Sequence, residues 1–576
     1  ERYLDMVEVG GSNPPGPTIL LSRYIRKVLQ SLKTISLPET LARRVFIGVL
    51  AIAVVVIYAA SSNMYFHSDE WSLLQHRPLG SLSSWLEPHN EVHWIPGLVF
   101  LYGLLFNLVG VDHYWLYHLP GVAMHLLAAW MLRKIMVRAG ADGWTATACA
   151  TVFAFYGTGA QNIVWAIQVG FTGSLAMGLV QLQCATHAVP TRRRDLAGLA
   201  AGAVALAFGV IGVTMVLVVG LATLVLRGWR AAFFQTAPLG VTYLVWWFTF
   251  ARGGLSHPDY GTPALWAEWI WQGFAEVFGS LAGWAPLGVL LAAVTAIGFS
   301  LRVRDQFGAA DWWRPLVPVL ALACGALAFQ LITAIGRVAQ PLGGIVVLGP
   351  AGARSSRYVY IVAALMLPLI AVAASYVTQR WRAALIVLIP LFALGLFANV
   401  RHLVLIDTVP ALKSALQMRT RELVSDAAYS DLIDLVPAES EVRLPYFSVT
   451  AGWLRAVRDQ GRLPEVGGVT ATRNAEAEAQ LAAKFVVAKD VECHEPIEPG
   501  VVLDFVAGDI VRITPKSFDA SVSFTYVSED GIRVQPKPVS ILSFNAVQVG
   551  APHARLMFPI DAKVAQFERC TVARVE

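Results

Sequence analysis

Apolar runs too long for an ordinary soluble core recur between Val45 and Val400, and they set what this chain can fold into. Leu196–Leu226 continues for about thirty residues between arginines, and Val45–Ala60 carries almost no polar side chain. A bilayer core calls for about twenty apolar residues per helix. The whole 576-residue chain is 56% hydrophobic and 14% charged, with a mean hydropathy of +0.57. A soluble domain carries about 25% charge, so the class expected is a polytopic α-helical membrane protein. The net charge of +5 comes largely from arginine clusters between the runs. That arrangement signals topology and argues against nucleic acid as a partner.

Three regions follow. Residues 1–22 are Gly/Pro-rich without an apolar signal core. Their stretch Val9–Thr18 looks like a translated transfer-RNA 3′ end, so an extension from a start codon called too early, without order, is expected. Arg23, Arg26, Lys27 and Lys33 alternate with Leu and Ile, as in a basic interfacial helix. Residues 23–404 form the membrane domain. Residues 405–576 return to a soluble composition, with a helical start (Thr408–Leu435) and short alternating runs from about 485 that predict a β-sandwich or jelly-roll within an α+β domain.

The positive-inside rule orders the runs. Arg43 and Arg44 precede the first span, which places the N-terminus in the cytoplasm and residues 65–71 on the far side. If Ile95–Val111 and Trp115–Leu132 both crossed, Arg133 and Lys134 would face outward. Ile95–Val111 is therefore expected to lie along the outer interface or to dip and return. Trp144–Phe155 and Phe171–Ala188 flank an outer turn, Gly157–Gln168. Leu196–Leu226 has basic groups at both ends, so it predicts a hairpin broken near Gly209–Gly212. Phe233–Phe250, Phe278–Leu301, Trp313–Ile335, Tyr358–Val377 and Leu385–Val400 complete about eleven spans, leaving the C-terminal domain outside a bacterial plasma membrane. An outside tail makes a disulfide between Cys493 and Cys570 the natural pairing, whereas Cys149, Cys184 and Cys324 read as buried small hydrophobes.

The polar residues of interest gather in the predicted outer loops. Asp69 and Glu70 follow the first span, between Phe66 and Trp71 and beside His67. A partly dehydrated site beside the membrane is expected to raise such a carboxylate's pKa toward working pH and suit it to a general base, although acidic residues at a helix end are ordinarily just solvated. Asp69 ranks ahead of Glu70. The cluster His89-Asn90-Glu91-Val92-His93-Trp94 offers polar substrate contacts, with interfacial anchoring as the plainer reading. His89 and His93, four apart, would share a helix face for a metal, and Glu91 with His93 leaves a divalent metal open, but no cofactor is firmly indicated. Arg354 and Arg357, before Tyr358, suit a phosphate or lipid headgroups. Arg337 and Arg252 are weaker versions of the same case. Gln161, Asn162 and Gln168 are candidate hydroxyl-binding groups or plain packing. The many tryptophans read mostly as an interfacial belt.

Several of these motifs together resemble the GT-C superfamily of membrane glycosyltransferases, in particular the protein O-mannosyltransferases and their relatives. Ser68-Asp69-Glu70 is similar to their acidic motif after the first span. His93-Trp94-Ile95-Pro96-Gly97 with Leu104-Leu105-Phe106-Asn107 is similar to the surface helix that follows. Tyr117-His118-Leu119-Pro120 with His125-Leu126-Leu127 is similar to their second span, and Arg357-Tyr358 to a later one. The likeness covers roughly residues 40–400, with no counterpart for the tail. It implies a polyprenyl-phosphate-linked sugar as donor, a glycan, lipid or protein acceptor on the outer face, and inversion at the anomeric carbon. Asp69 would be the base, and Arg354 or Arg357 would hold the lipid phosphate. The His67-Ser68 spelling and the cluster at 89–94 depart from the family pattern.

Two rivals stand beside this reading. A flippase for a lipid-linked glycan would want ionisable groups inside the spans and broken helices in two related halves, which the runs largely lack. A non-catalytic envelope assembly protein would place its work in the tail.

Overall fold

The computed structural model describes residues 38–90, 93–251, 260–339, 341–342, 346–347, 349–406, 412–445, 447–463, 465–468, 470–487, 491–516, 521–536, 539–540, 545–559 and 564–572. The expected N-terminal extension, the basic helix near Arg23 and the candidate Arg252 lie outside these residues.

Five helices among the described residues are long and apolar enough to cross a bilayer: Glu39–Ala60, Ala285–Gln306, Arg314–Arg337, Ser356–Arg380 and Arg382–Val404. Their 22 to 25 residues reach about 33–38 Å at ~1.5 Å per residue, against a hydrocarbon core of ~30 Å. Gly143–Val164 and Ala166–Ala185, broken at Trp165, would make a sixth if they form one span. The Tyr114–Arg138 helix is long enough but carries His118, Pro120, His125, Arg133 and Lys134. Leu196–Leu226 divides into Arg192–Phe208 and Ile211–Arg227, at the predicted glycine break. Each half has 17 residues, or about 25 Å. Pro96–Val109 is a 14-residue helix of about 21 Å, too short to cross.

The chain divides into two compact units. One combines residues 1–53, 129–158 and 260–401; the other combines 54–128, 159–259 and 402–576. In the first, Ser356–Arg380 is the core helix, with 89% of its most apolar stretch inside the protein. A helix that is apolar all round belongs in such a position. Close packing here needs small residues: a Cβ at Gly298 would lie 2.5 Å from the Ala373 carbonyl oxygen. Arg382–Val404 is only 22% inside and turns Ile389 and Phe397 outward, where lipid rather than water suits them.

Arginines used as topology markers are partly internal. Arg133 is buried and donates to Glu39 and Thr147, both at 2.9 Å, so it is no headgroup-facing charge. Cys149 is buried as expected, but Cys184 is half-buried and Cys324 sits on an outward helix face.

In the second unit the C-terminal residues contain two larger antiparallel sheets. One runs in the order Ala483–Val486, Ala546–Val549, Ile510–Pro515, Val564–Val572, Val491–Ile497; the other runs Arg533–Val534, Thr525–Val527, His553–Met557, Val502–Val506. Phe505, Phe558 and Phe567 touch in sequence and join the two. Cys493 and Cys570 are cross-strand partners and form the expected disulfide. Within the predicted helical start, Thr408–Leu435, the described residues form the helix Ser414–Ala428, and 408–411 lie outside them.

Candidate active site

The acidic pair opens a short helix, Asp69–His76, whose N-cap Ser68 has φ +49°. Carboxylates in a first helical turn complement the helix dipole, which alone would explain one of them. Their surroundings then diverge, because successive residues on a helix point about 100° apart.

Glu70 turns inward and is fully buried. Its Oε1 accepts from the Tyr102 hydroxyl at 2.5 Å and the Tyr114 hydroxyl at 3.2 Å. Its Oε2 accepts from the His67 backbone N–H at 2.8 Å and Trp165 Nε1 at 2.9 Å. Tyr114 in turn accepts from the Ala166 N–H at 3.1 Å, tying the broken turn at Trp165 to the carboxylate. Phe66 fits between Trp71, Tyr114 and Tyr117, with ring centroids 4.8 to 5.5 Å away. Burial pushes Glu70 up to about 7, while the four donors pull the other way.

Asp69 turns outward, with 38% of its side chain exposed. Its Oδ2 lies 3.6 Å from His89 Nε2 and accepts from Asn90 Nδ2 at 3.3 Å, and its Oδ1 accepts from Ser68 Oγ at 3.3 Å. These partners, His89 foremost, hold its carboxyl below the usual range against the opposing effect of burial, so the rise expected of the preferred base is found at Glu70 and not at Asp69. His67 is buried, stands edge-on to Trp165 at 5.5 Å, and burial lowers its pKa. The site thus pairs an enclosed, anchored carboxylate with an ionised, reachable one.

His89 is placed by backbone pairing. His89 and His93 exchange N–H···O bonds of 2.8 and 2.9 Å, with Asn90 at φ +45° in the turn. The helical face that would have aligned the two imidazoles on a metal is therefore not formed. Glu91 lies outside the described residues, and among those described no three His, Cys, Asp or Glu side chains converge as a metal set. Arg77 holds the approach to this turn, donating to the carbonyls of Ser84, Glu87 and Pro88 at 3.2, 2.9 and 2.9 Å.

The remaining candidates scatter. Trp94 stacks on Trp246 at 5.5 Å and donates its Nε1 to the Trp85 carbonyl at 3.1 Å, a packing role. Gln168 is buried in the turn that carries Trp165, and Gln161 is half-buried in the short helix before it. Arg354, Arg357 and Tyr358 belong to the first unit, the carboxylates to the second. Arg354 is exposed at the end of a 3-10 turn, Arg357 half-buried in the next helical turn. The Tyr358 ring is buried against Trp269 and Phe329.

Tyr102, Tyr114 and Arg77 were not anticipated from the sequence. An aromatic hydroxyl within an apolar run reads as core, and nothing local distinguishes one that bonds a carboxylate 32 or 44 residues away. No protein-family model, curated protein or solved structure matches this chain.

Proposed function

We propose that this protein is an inverting glycosyltransferase of the membrane, using a polyprenyl-phosphate-linked sugar and an envelope glycan, lipid or protein acceptor at the outer face of a bacterial plasma membrane. The observation that carries this reading is the division of the acidic pair: Glu70 is enclosed by four donors, whereas Asp69 is ionised, exposed and flanked by His89. Asp69 accepts the proton of the acceptor hydroxyl as its oxygen attacks the anomeric carbon. The bond from that carbon to the phosphate oxygen breaks, and the polyprenyl phosphate departs with the electron pair. General-base assistance of this kind contributes about 10²–10⁴-fold. Glu70, out of reach of any acceptor, is a positioning residue that fixes the helix start. Arg354 and Arg357 are the candidates for the donor phosphate on charge alone, and Tyr358 is assigned to packing. The candidate acceptor contacts are His67, His89, Glu91 and His93 with Gln161 and Gln168.

The test is glycan and lipid profiling of a strain lacking this gene. Loss of one defined sugar, with accumulation of its polyprenyl-phosphate donor, is expected. Accumulation of an intact lipid-linked glycan instead would point to a flippase and overturn the reading.

A further inference from the structure

A short hairpin in the C-terminal residues reaches the acidic helix. Its strands, Glu441–Leu444 and Phe447–Thr450, pair with Glu441 opposite Thr450. The Thr450 backbone N–H donates to Gln75 Oε1 at 3.0 Å, and the Phe447 ring meets His76 at 6.0 Å. Trp453, in the helix that Thr450 caps, stands edge-on to fully buried Trp71 at 6.1 Å. Trp71, Gln75 and His76 all belong to the helix that begins at Asp69.

At the Glu441 end, the hairpin borders a cavity of about 160 Å³. Glu439, Glu441, Gln480, Lys484 and Gln548 are among its lining residues, with Lys484 and Gln548 as cross-strand neighbours and Gln480 Oε1 accepting from the Arg443 backbone N–H at 3.4 Å. Among the described residues, the side chains of Glu439, Glu441, Lys484 and Gln548 make no hydrogen bond or ion pair. Opposite charges that share a cavity without pairing leave both donors and acceptors free. An anion there would face two carboxylates, and a cation would face the ammonium. A neutral polyhydroxylated ring can satisfy both sets, since each hydroxyl donates and accepts.

We propose that this cavity binds a sugar residue of the acceptor, and that the hairpin ties its occupancy to the acidic helix. The inference rests on the sugar-transfer reading, but its test does not require turnover. The full-length protein in detergent is titrated with galactose, glucose, mannose and arabinose by saturation-transfer NMR. At least one sugar is expected to bind, and the paired change Lys484→Ala with Gln548→Ala should weaken it by about tenfold or more, as for two lost hydrogen bonds. Gln480 is left in place because it already accepts from the Arg443 backbone N–H. The bound sugar should also slow amide exchange across residues 69–76, an effect absent in Trp453→Ala. No binding by any of the four, equal binding by the paired variant, or unchanged exchange in the unaltered protein each overturns the proposal. Asp69→Asn should bind as the unaltered protein does. Sugar binding by the unaltered protein, if that protein shows no transfer, would instead sink the enzyme reading and leave the cavity standing.

Discussion

Tyr102 approaches Glu70 to 2.5 Å, and the fully buried carboxylate accepts from three further donors. A hydrogen bond to a charged group contributes about 1.5–3 kcal/mol, so Tyr102→Phe should destabilise the protein by about that much, read as a lower thermal midpoint in detergent. Losing that donor also pushes Glu70 further up. The folded-state value of Glu70 stands near 7 against an ordinary 4.5, because burial outweighs the four donors. Its favourable contribution is complete below about pH 4.5 and is lost as pH rises through about 7. The thermal midpoint should fall across that window, and Glu70→Gln should flatten the fall. That variant should also be less stable throughout, since its amide nitrogen would face either the tyrosine hydroxyls or the His67 N–H and Trp165 Nε1.

The turn at residues 89–93 depends on Arg77, which donates to three backbone carbonyls between Ser84 and Pro88. Arg77→Ala removes all three bonds and should speed amide exchange over residues 84–90 while leaving the five-stranded sheet unchanged. Equal exchange in both proteins would show that the turn holds its own shape. Elements of this kind were unevenly legible in the sequence. The break near Gly209 could be read because equal charges at both ends demand an even number of crossings and glycine supplies the interruption. The strands Val491–Ile497 and Val564–Val572 are weakly marked in the sequence, since each mixes charged residues with few large apolar ones; they nonetheless carry the two cysteines. Asp69 and Glu70 stand out as neighbours in a short polar stretch, whereas their partners Tyr102, Tyr114 and Trp165 come from separate segments and are chosen only by folding. Gly110 is a like case: at φ +60°, a Cβ there would lie 2.2 Å from the Arg462 carbonyl oxygen, an approach no local pattern announces.

At the scale of the molecule, the membrane character rests on five long apolar helices, four with outward apolar faces and Ser356–Arg380 enclosed, and the C-terminal strands carry their own covalent tie. The disulfide spans 77 residues, and closing such a loop contributes about 2–5 kcal/mol. Cys493→Ser with Cys570→Ser should lower the thermal midpoint of the compact unit that holds these strands. An unchanged midpoint would contradict that contribution. The acidic helix joins these scales: its first residue faces outward to His89, its second is enclosed by four donors, and its far end meets Thr450 and Trp453. The decisive measurement is transfer by purified Asp69→Asn, reconstituted with a polyprenyl-phosphate-linked sugar and envelope acceptor from the corresponding deletion strain. The account predicts a fall of roughly 10²–10⁴-fold in a protein that still folds, with a thermal midpoint near pH 7 that is somewhat lower because the ionised Asp69 is held by His89; transfer at the rate of the unaltered protein would contradict it.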